Sequence, residues 1–434
     1  MDDPVAIKRC KTGEQFSNFA VASGKKNQTS DVLLFMSIKK NASVTIVVVF
    51  LIASCNTGEG KVGKSQEPVF VTRPASRITL PIKPSNVALA DVNKDGQLDL
   101  IIASEEPRAV TVLPGAKAEP FFRAATSRNI ALPESPGEIV LGDVNGDDRL
   151  DIALNSHDSY NVTLLLGEAN GGFALAPNSP IVMKKGTHPH THGLGLGDLN
   201  GDGKLDLATV NNADNDVSVA FGDGRGGFTL APRSPFAVGP SPYPLTLGDI
   251  NSDGRLDIVA TASATGPARA QQLASSRALT LLLADGQGGF RRSEIPLRTG
   301  QPWFVALGDL NGDRKLDLVA THHEQSALTV LLGDGTGNFR ETAGSPFDFG
   351  HNVSQIVLAD VNRDRREDVI AASGDSIRVM LGDGAGRFNP APHSPFATPR
   401  GTWRLAVGDI DQDGKTDVVT SNTDSNSVTV LFGS

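Results

Sequence analysis

Seven segments of the 434-residue chain carry the pattern D-x-N/D-x-D-x-x-x-D, which offers four side-chain oxygens within nine residues. The first presents Asp91, Asn93, Asp95 and Asp99, the second Asp143, Asn145, Asp147 and Asp151, and the third Asp198, Asn200, Asp202 and Asp206. Asp249, Asn251, Asp253 and Asp257 form the fourth, and Asp309, Asn311, Asp313 and Asp317 the fifth. The sixth has Asp360, Asn362, Asp364 and Asp368, and the seventh Asp409, Asp411, Asp413 and Asp417. Oxygens at positions 1, 3, 5 and 9, with a backbone carbonyl at position 7, can converge on one hard cation, and such a set suits Ca2+. Carboxylates this close repel one another unless a cation lies between them, so several structural calcium ions are expected.

Position 6 is glycine in four copies, where it permits a sharp turn through positive φ. Asp148, Arg314 and Arg365 stand there in the others, at on the order of 1 kcal/mol each. The Asp198 and Asp249 copies keep every feature and are expected to bind best. The Asp91 copy also keeps them, and Asp411 adds charge to the last. The Asp360 copy, crowded by Arg363, Arg365 and Arg366, is expected to be the weakest.

A second chemistry lies in His188-Pro-His-Thr-His192. Alternate residues of an extended chain point to one side, so His188, His190 and His192 are candidate ligands of a transition metal, with His322 a further candidate. Tyr243, Trp303 and Trp403 are candidate aromatic platforms for a sugar or peptide. No catalytic residue is assigned, because neither a nucleophile elbow nor a phosphate-binding loop is evident.

The elements that position these groups are short strands. An EF-hand would need a Glu at position 12, where Ile102, Leu154, Thr209, Ala260, Ala320, Ala371 and Thr420 stand instead. Apolar runs of strand length flank each loop, such as Asn86 to Ala90 before and Leu98 to Ile102 after. A glycine-rich turn ending in Phe follows most loops, as in Gly222-Asp-Gly-Arg-Gly-Gly-Phe228. It reads as a hairpin turn whose Phe packs between sheets. The copies recur every 49 to 60 residues, about the length of one four-stranded propeller blade.

Together these motifs make residues 68–434 resemble the FG-GAP/VCBS repeat family, the calcium-loop propellers that include the heads of integrin α-chains. The resemblance implies an all-β, seven-bladed β-propeller with four-stranded blades. Phe70 precedes Asp91 by the same 21 residues that separate Phe228 from Asp249 and Phe388 from Asp409. The segment around Phe70 is therefore expected to complete the last blade and close the ring, removing an exposed sheet edge. In that strand order the acidic loops share one face with the glycine-rich turns, and both tryptophans and seven of the eight histidines share the other.

The N-terminus reads as an address. Met36 to Asn41 is basic, Ala42 to Ile52 is apolar, and Ile52-Ala-Ser-Cys55 resembles the lipobox of bacterial lipoproteins. The expectation is a start-site artefact or disordered stretch over 1–35, a lipoprotein-type signal peptide over 36–55 with lipidation at Cys55, and a flexible tether over 56–67. Such a chain is exported and held in the cell envelope by lipid alone, or secreted or periplasmic if the lipobox is not used. The two cysteines, Cys10 and Cys55, exclude a disulfide framework. Residues 1–65 hold nine Lys/Arg against five Asp/Glu, leaving 31 against 44 in the remainder. A body so acidic, without a basic stripe, excludes nucleic acid as a partner.

Two functions follow as expectations. One is a monomeric binding or scaffolding module that takes a glycan or protein on the face opposite the acidic loops. The other is a metal-dependent polysaccharide hydrolase or lyase using the histidines. The first is preferred.

Overall fold

The computed structural model describes residues 67–262, 277–298, 300–322, 326–349 and 353–434. Residues 1–35, the signal segment with Cys55, the tether up to 66, His323, Glu324 and His351 lie outside these residues. The described chain is all β, with single 3-10 turns at Ala124–Thr126 and Thr423–Ser425 and no α-helix.

Each repeat is an antiparallel meander. In the third, Thr191–Gly197 pairs with Asp206–Asn211, that strand with Asp216–Gly222, and the last with Phe228–Leu230 and then Phe236–Ala237. The outermost strand is thus two short pieces, an arrangement that blunts a sheet edge. The second strands are buried along their length, as in Asp206–Asn211 and Asp317–His322. A strand covered on both faces carries a continuous apolar run rather than an alternating one, which is the pattern the flanking segments show.

Among the described residues the strands form six hydrogen-bonded sheets rather than seven separate ones. Five correspond to the first five repeats. The sixth and seventh repeats share one eight-stranded sheet, because Asp368–Gly382 and Phe396–Gly408 run through as long strands and pair with each other at Gly374 and Thr402. The N-terminal strands Phe70–Val71 and Arg77–Thr79 both pair with Ser427–Gly433.

The core lies between sheets. Seven buried apolar clusters are found among the described residues, each built from two neighbouring repeats. One joins Val87, Leu100 and Ile102 of the first repeat to Ile410, Val419 and Phe432 of the last. Phe173, Phe228, Phe290, Phe339 and Phe388, which end the glycine-rich turns, each pack into the cluster shared with the preceding repeat. The first strands also lie side by side in sequence order, from Pro84–Ala90 through Thr191–Gly197 to Phe396–Gly408, and the last of these packs on the first.

Candidate functional site

Each acidic loop connects the first and second strands of its repeat. In the third, Asp198 accepts the N–H groups of Gly201 at 2.7 Å, Asp202 at 3.2 Å and Gly203 at 2.7 Å. Asn200 accepts from Asp202 at 2.8 Å, and Asp202 from Lys204 at 3.0 Å. Short polar side chains bonding the backbone a few residues ahead make such a loop fold on itself. In the seventh loop, oxygens of Asp409, Asp411 and Asp413 lie within 4.8 Å of one another. Asn replaces Asp411 in the other six loops, with the same bond to the position-5 N–H in each.

The position-9 aspartates are fully buried. One oxygen of Asp206 accepts the N–H of Leu199 in its own loop, and the other that of Gly222 at the end of the third strand, both at 2.9 Å. The same two bonds recur in all seven copies at 2.7–3.0 Å. Burial pushes Asp151, Asp257 and Asp317 up to about 6 and Asp206, Asp368 and Asp417 up to about 7, and it raises Asp99 too; the amide bonds oppose it and loop carboxylates add to it. A carboxylate oxygen that accepts one N–H keeps a lone pair, so these side chains fit a cation that would favour their charged form.

Two features of the loops are not written in the glycine pattern. Position 4 adopts positive φ as consistently as position 6, with Lys94 at 59°, Ser252 at 59°, Arg363 at 63° and Gln412 at 61° beside glycines in the other copies. Position 7 is basic in six copies, and each of these side chains bridges to the position-5 aspartate of its loop, as Arg255 does to Asp253 at 2.9 Å and Lys415 to Asp413 at 3.0 Å. The glycine-rich turn of the next repeat sits against the loop, with the Gly226 N–H donating to Val144 O at 3.1 Å and that of Gly386 to Leu310 O at 3.2 Å.

On the opposite face the predicted residues separate into groups. His190 and His192 come together, but their third neighbour is His157, with ring centroids 4.5–5.0 Å apart. His188 instead bonds Thr187 through Nδ1 at 2.9 Å. His322 is buried in the fifth repeat with Nε2 at 2.7 Å from Thr329 Oγ1, and burial pushes it down to about 4. Burial and the neighbouring His157 lower His190, and burial together with His190, His157 and Arg404 pushes His192 down to about 2.

The aromatic candidates also divide. His192 packs on Tyr243 at 4.0 Å, and Tyr243 stacks on Trp303 at 4.2 Å and 18°. Trp303 and Tyr243 pack against the cluster of Phe304 and Leu328, so they fill space between repeats. Trp403 is 39% exposed. Beside it Arg404 is buried, its guanidinium 5.5 Å from the Trp403 ring and 3.2 Å from Glu138 of the second repeat. This ion pair spans 266 residues of sequence.

The FG-GAP-like repeat profile matches residues 91–154, 143–209, 198–260, 309–371 and 360–420. The chain belongs to the FG-GAP-like repeat family. Each matched FG-GAP-like unit runs from the first aspartate of one acidic loop to position 12 of a following one, which makes the loop the recurring mark of the repeat. No curated protein matches the chain. Among solved structures, BBS1N in complex with ARL6DN is similar at a TM-score of 0.56 and 11% identity, covering 85% of this chain and 98% of that one. An Agrocybe aegerita lectin that recognises non-reducing terminal N-acetylglucosamine gives 0.50 and 18%, covering 80% and 87%. A candidate 6-phosphogluconolactonase from Bacteroides uniformis gives 0.54 and 13%, covering 73% and 85%. At these identities the likeness is one of fold, a propeller-like arrangement of repeated four-stranded sheets.

Proposed function

We propose that this FG-GAP-like repeat chain is a calcium-loaded propeller of seven blades that works outside the cytoplasm as a binding module for glycans. The blade number rests on seven in-register loops and on the first strand of the last repeat packing against that of the first. Closure of the ring rests on the pairing of Phe70–Val71 and Arg77–Thr79 with Ser427–Gly433. Calcium rests on the all-oxygen donor set and on buried position-9 carboxylates that a cation would stabilise. Export and lipid anchoring at Cys55 rest on the Met36 to Cys55 segment alone. Incorporation of labelled fatty acid into the wild type and not into Cys55→Ser tests the anchor.

The observation that carries the binding role is the setting of Trp403. It borders a cleft of about 340 Å³ between the last, first and sixth repeats, with Lys83, Ser85, Glu105, Thr402 and Asp424 around it. An exposed indole face beside carboxylates, an ammonium and hydroxyls matches the apolar face and hydroxyl rim of a sugar. An array of glycans and peptides, followed by titration of the best oligosaccharide, tests this. Trp403→Ala is expected to weaken binding at least tenfold with the melting temperature unchanged. An array on which only peptides bind, or equal binding by Trp403→Ala, overturns it.

A further inference from the structure

Three imidazoles from two neighbouring repeats meet beside the wall made by Tyr243. One ring nitrogen from each of His157, His190 and His192 lies within 4.8 Å of the others. We propose that these three side chains form a site for one divalent transition-metal ion, distinct from the acidic loops and with a coordination position open to solvent.

The backbone around the cluster is tied in place independently of any ion. Thr191, between His190 and His192, is buried, and its hydroxyl donates to the carbonyl of Ser156 and, at 3.1 Å, to that of Ser159. Those carbonyls bracket the turn that carries His157. Asn155 Nδ2 donates to His192 O at 2.6 Å, and the Asn212 N–H to His190 O at 2.8 Å. The register of the first strand shifts between His192 and Leu194, where Gly193 has φ of 25° and a Cβ would meet Leu245 N at 2.7 Å. A shift of this kind re-aims the side chains beside it. Ligands held by a fixed frame are what a metal site requires.

The donor set selects the class of ion. Three neutral imidazoles suit zinc, nickel, copper or iron, whereas calcium takes oxygen ligands. His157 Nδ1 lies 3.3 Å from the Asp158 carboxylate, the second partner that a metal-bound imidazole commonly keeps. With Nδ1 so engaged, Nε2 of His157 is the ligand. Tetrahedral zinc would bring the nitrogens to about 3.3 Å from one another, a closing of roughly 1.5 Å at most that imidazole rotation supplies. Three protein ligands leave the fourth position for water or an exogenous donor, and the exposed His157 side chain keeps that side open.

The test uses the untagged chain from residue 56, stripped of transition metals and held in saturating Ca2+. Titration with Co2+, read by its visible absorption, and competition with Zn2+ are expected to show one equivalent bound. His157→Ala, at an exposed position, is expected to weaken that equivalent at least tenfold while the melting temperature in Ca2+ stays the same, and His188→Ala to bind as wild type. No bound equivalent in the wild type, equal binding by His157→Ala, or a loss in His188→Ala as large as that in His157→Ala overturns the site.

Discussion

Phe70 lies directly opposite Gly433 in antiparallel register, with Val71 opposite Phe432. The N–H of Ser434 donates to Val69 O at 3.2 Å, and Leu80 and Ile82 are buried with Phe432 in the cluster shared by the last and first repeats. Arg73 adds a bridge to Asp411 at 2.7 Å while its guanidinium lies 4.0 Å from the centre of the Phe432 ring. Removing residues 66–82 exposes the edge of Ser427–Gly433 and strips three large apolar side chains from the core. Each is worth about 1.5–3 kcal/mol. The truncated chain is therefore expected to melt well below the full one or without cooperativity, and melting at the same temperature overturns ring closure.

Chelation is the second prediction. On the proposed calcium sites, EDTA is expected to lower the melting temperature substantially and Ca2+ to restore it, because the buried position-9 carboxylates would lose a stabilising cation. Asp206→Asn replaces an oxygen that accepts the N–H of Leu199 or Gly222 with an amide donor, at about 1–3 kcal/mol. Calorimetric titration should find one calcium fewer in that variant. An unchanged stoichiometry removes Asp206 from the ligand set.

Backbone strain in the loops gives a pair of substitutions with opposite signs. A Cβ on Gly254 meets no atom within 4 Å, so only its φ of 83° resists a side chain. In saturating Ca2+, Gly254→Ala is expected to destabilise the protein by about 1 kcal/mol, and Arg314→Gly, at φ of 66°, to stabilise it by a similar amount. Denaturant midpoints read both. Equal midpoints for all three proteins mean that the loops hold no such strain.

His322 sets a pH dependence. Burial holds its folded-state value at about 4, below the ordinary value of 6.5. The stability it contributes is therefore present above pH 6.5 and is lost as pH falls toward 4, because the unfolded chain takes up the proton first. The full loss is on the order of 3 kcal/mol. His322→Gln can keep the bond to Thr329 without titrating. The stability advantage of the wild type over this variant is expected to shrink between pH 7 and 4.5, and a constant difference contradicts a neutral, buried imidazole.

The sequence alone determined what is local. All four side-chain oxygens of an acidic loop fall within nine residues, the flanking strands show as apolar runs, and the Phe of the glycine-rich turn recurs in register. These gave the repeat and the all-β class, because each repeat encodes the same short-range geometry. Tertiary structure decided what neighbouring repeats do to one another. His157 replaced His188 beside His190 and His192 because Thr191 fastens that strand to the preceding repeat, a contact that no spacing within one repeat displays. Glu138 and Arg404 met across 266 residues, and Trp303 became half-buried against the Phe304 cluster while Trp403 stayed exposed, although the two hold equivalent positions before Asp309 and Asp409. The long strands Asp368–Gly382 and Phe396–Gly408 merged two repeats into one sheet for the same reason. Pairing and burial between repeats depend on which surfaces the packed chain brings together, and a motif read one repeat at a time does not contain that information.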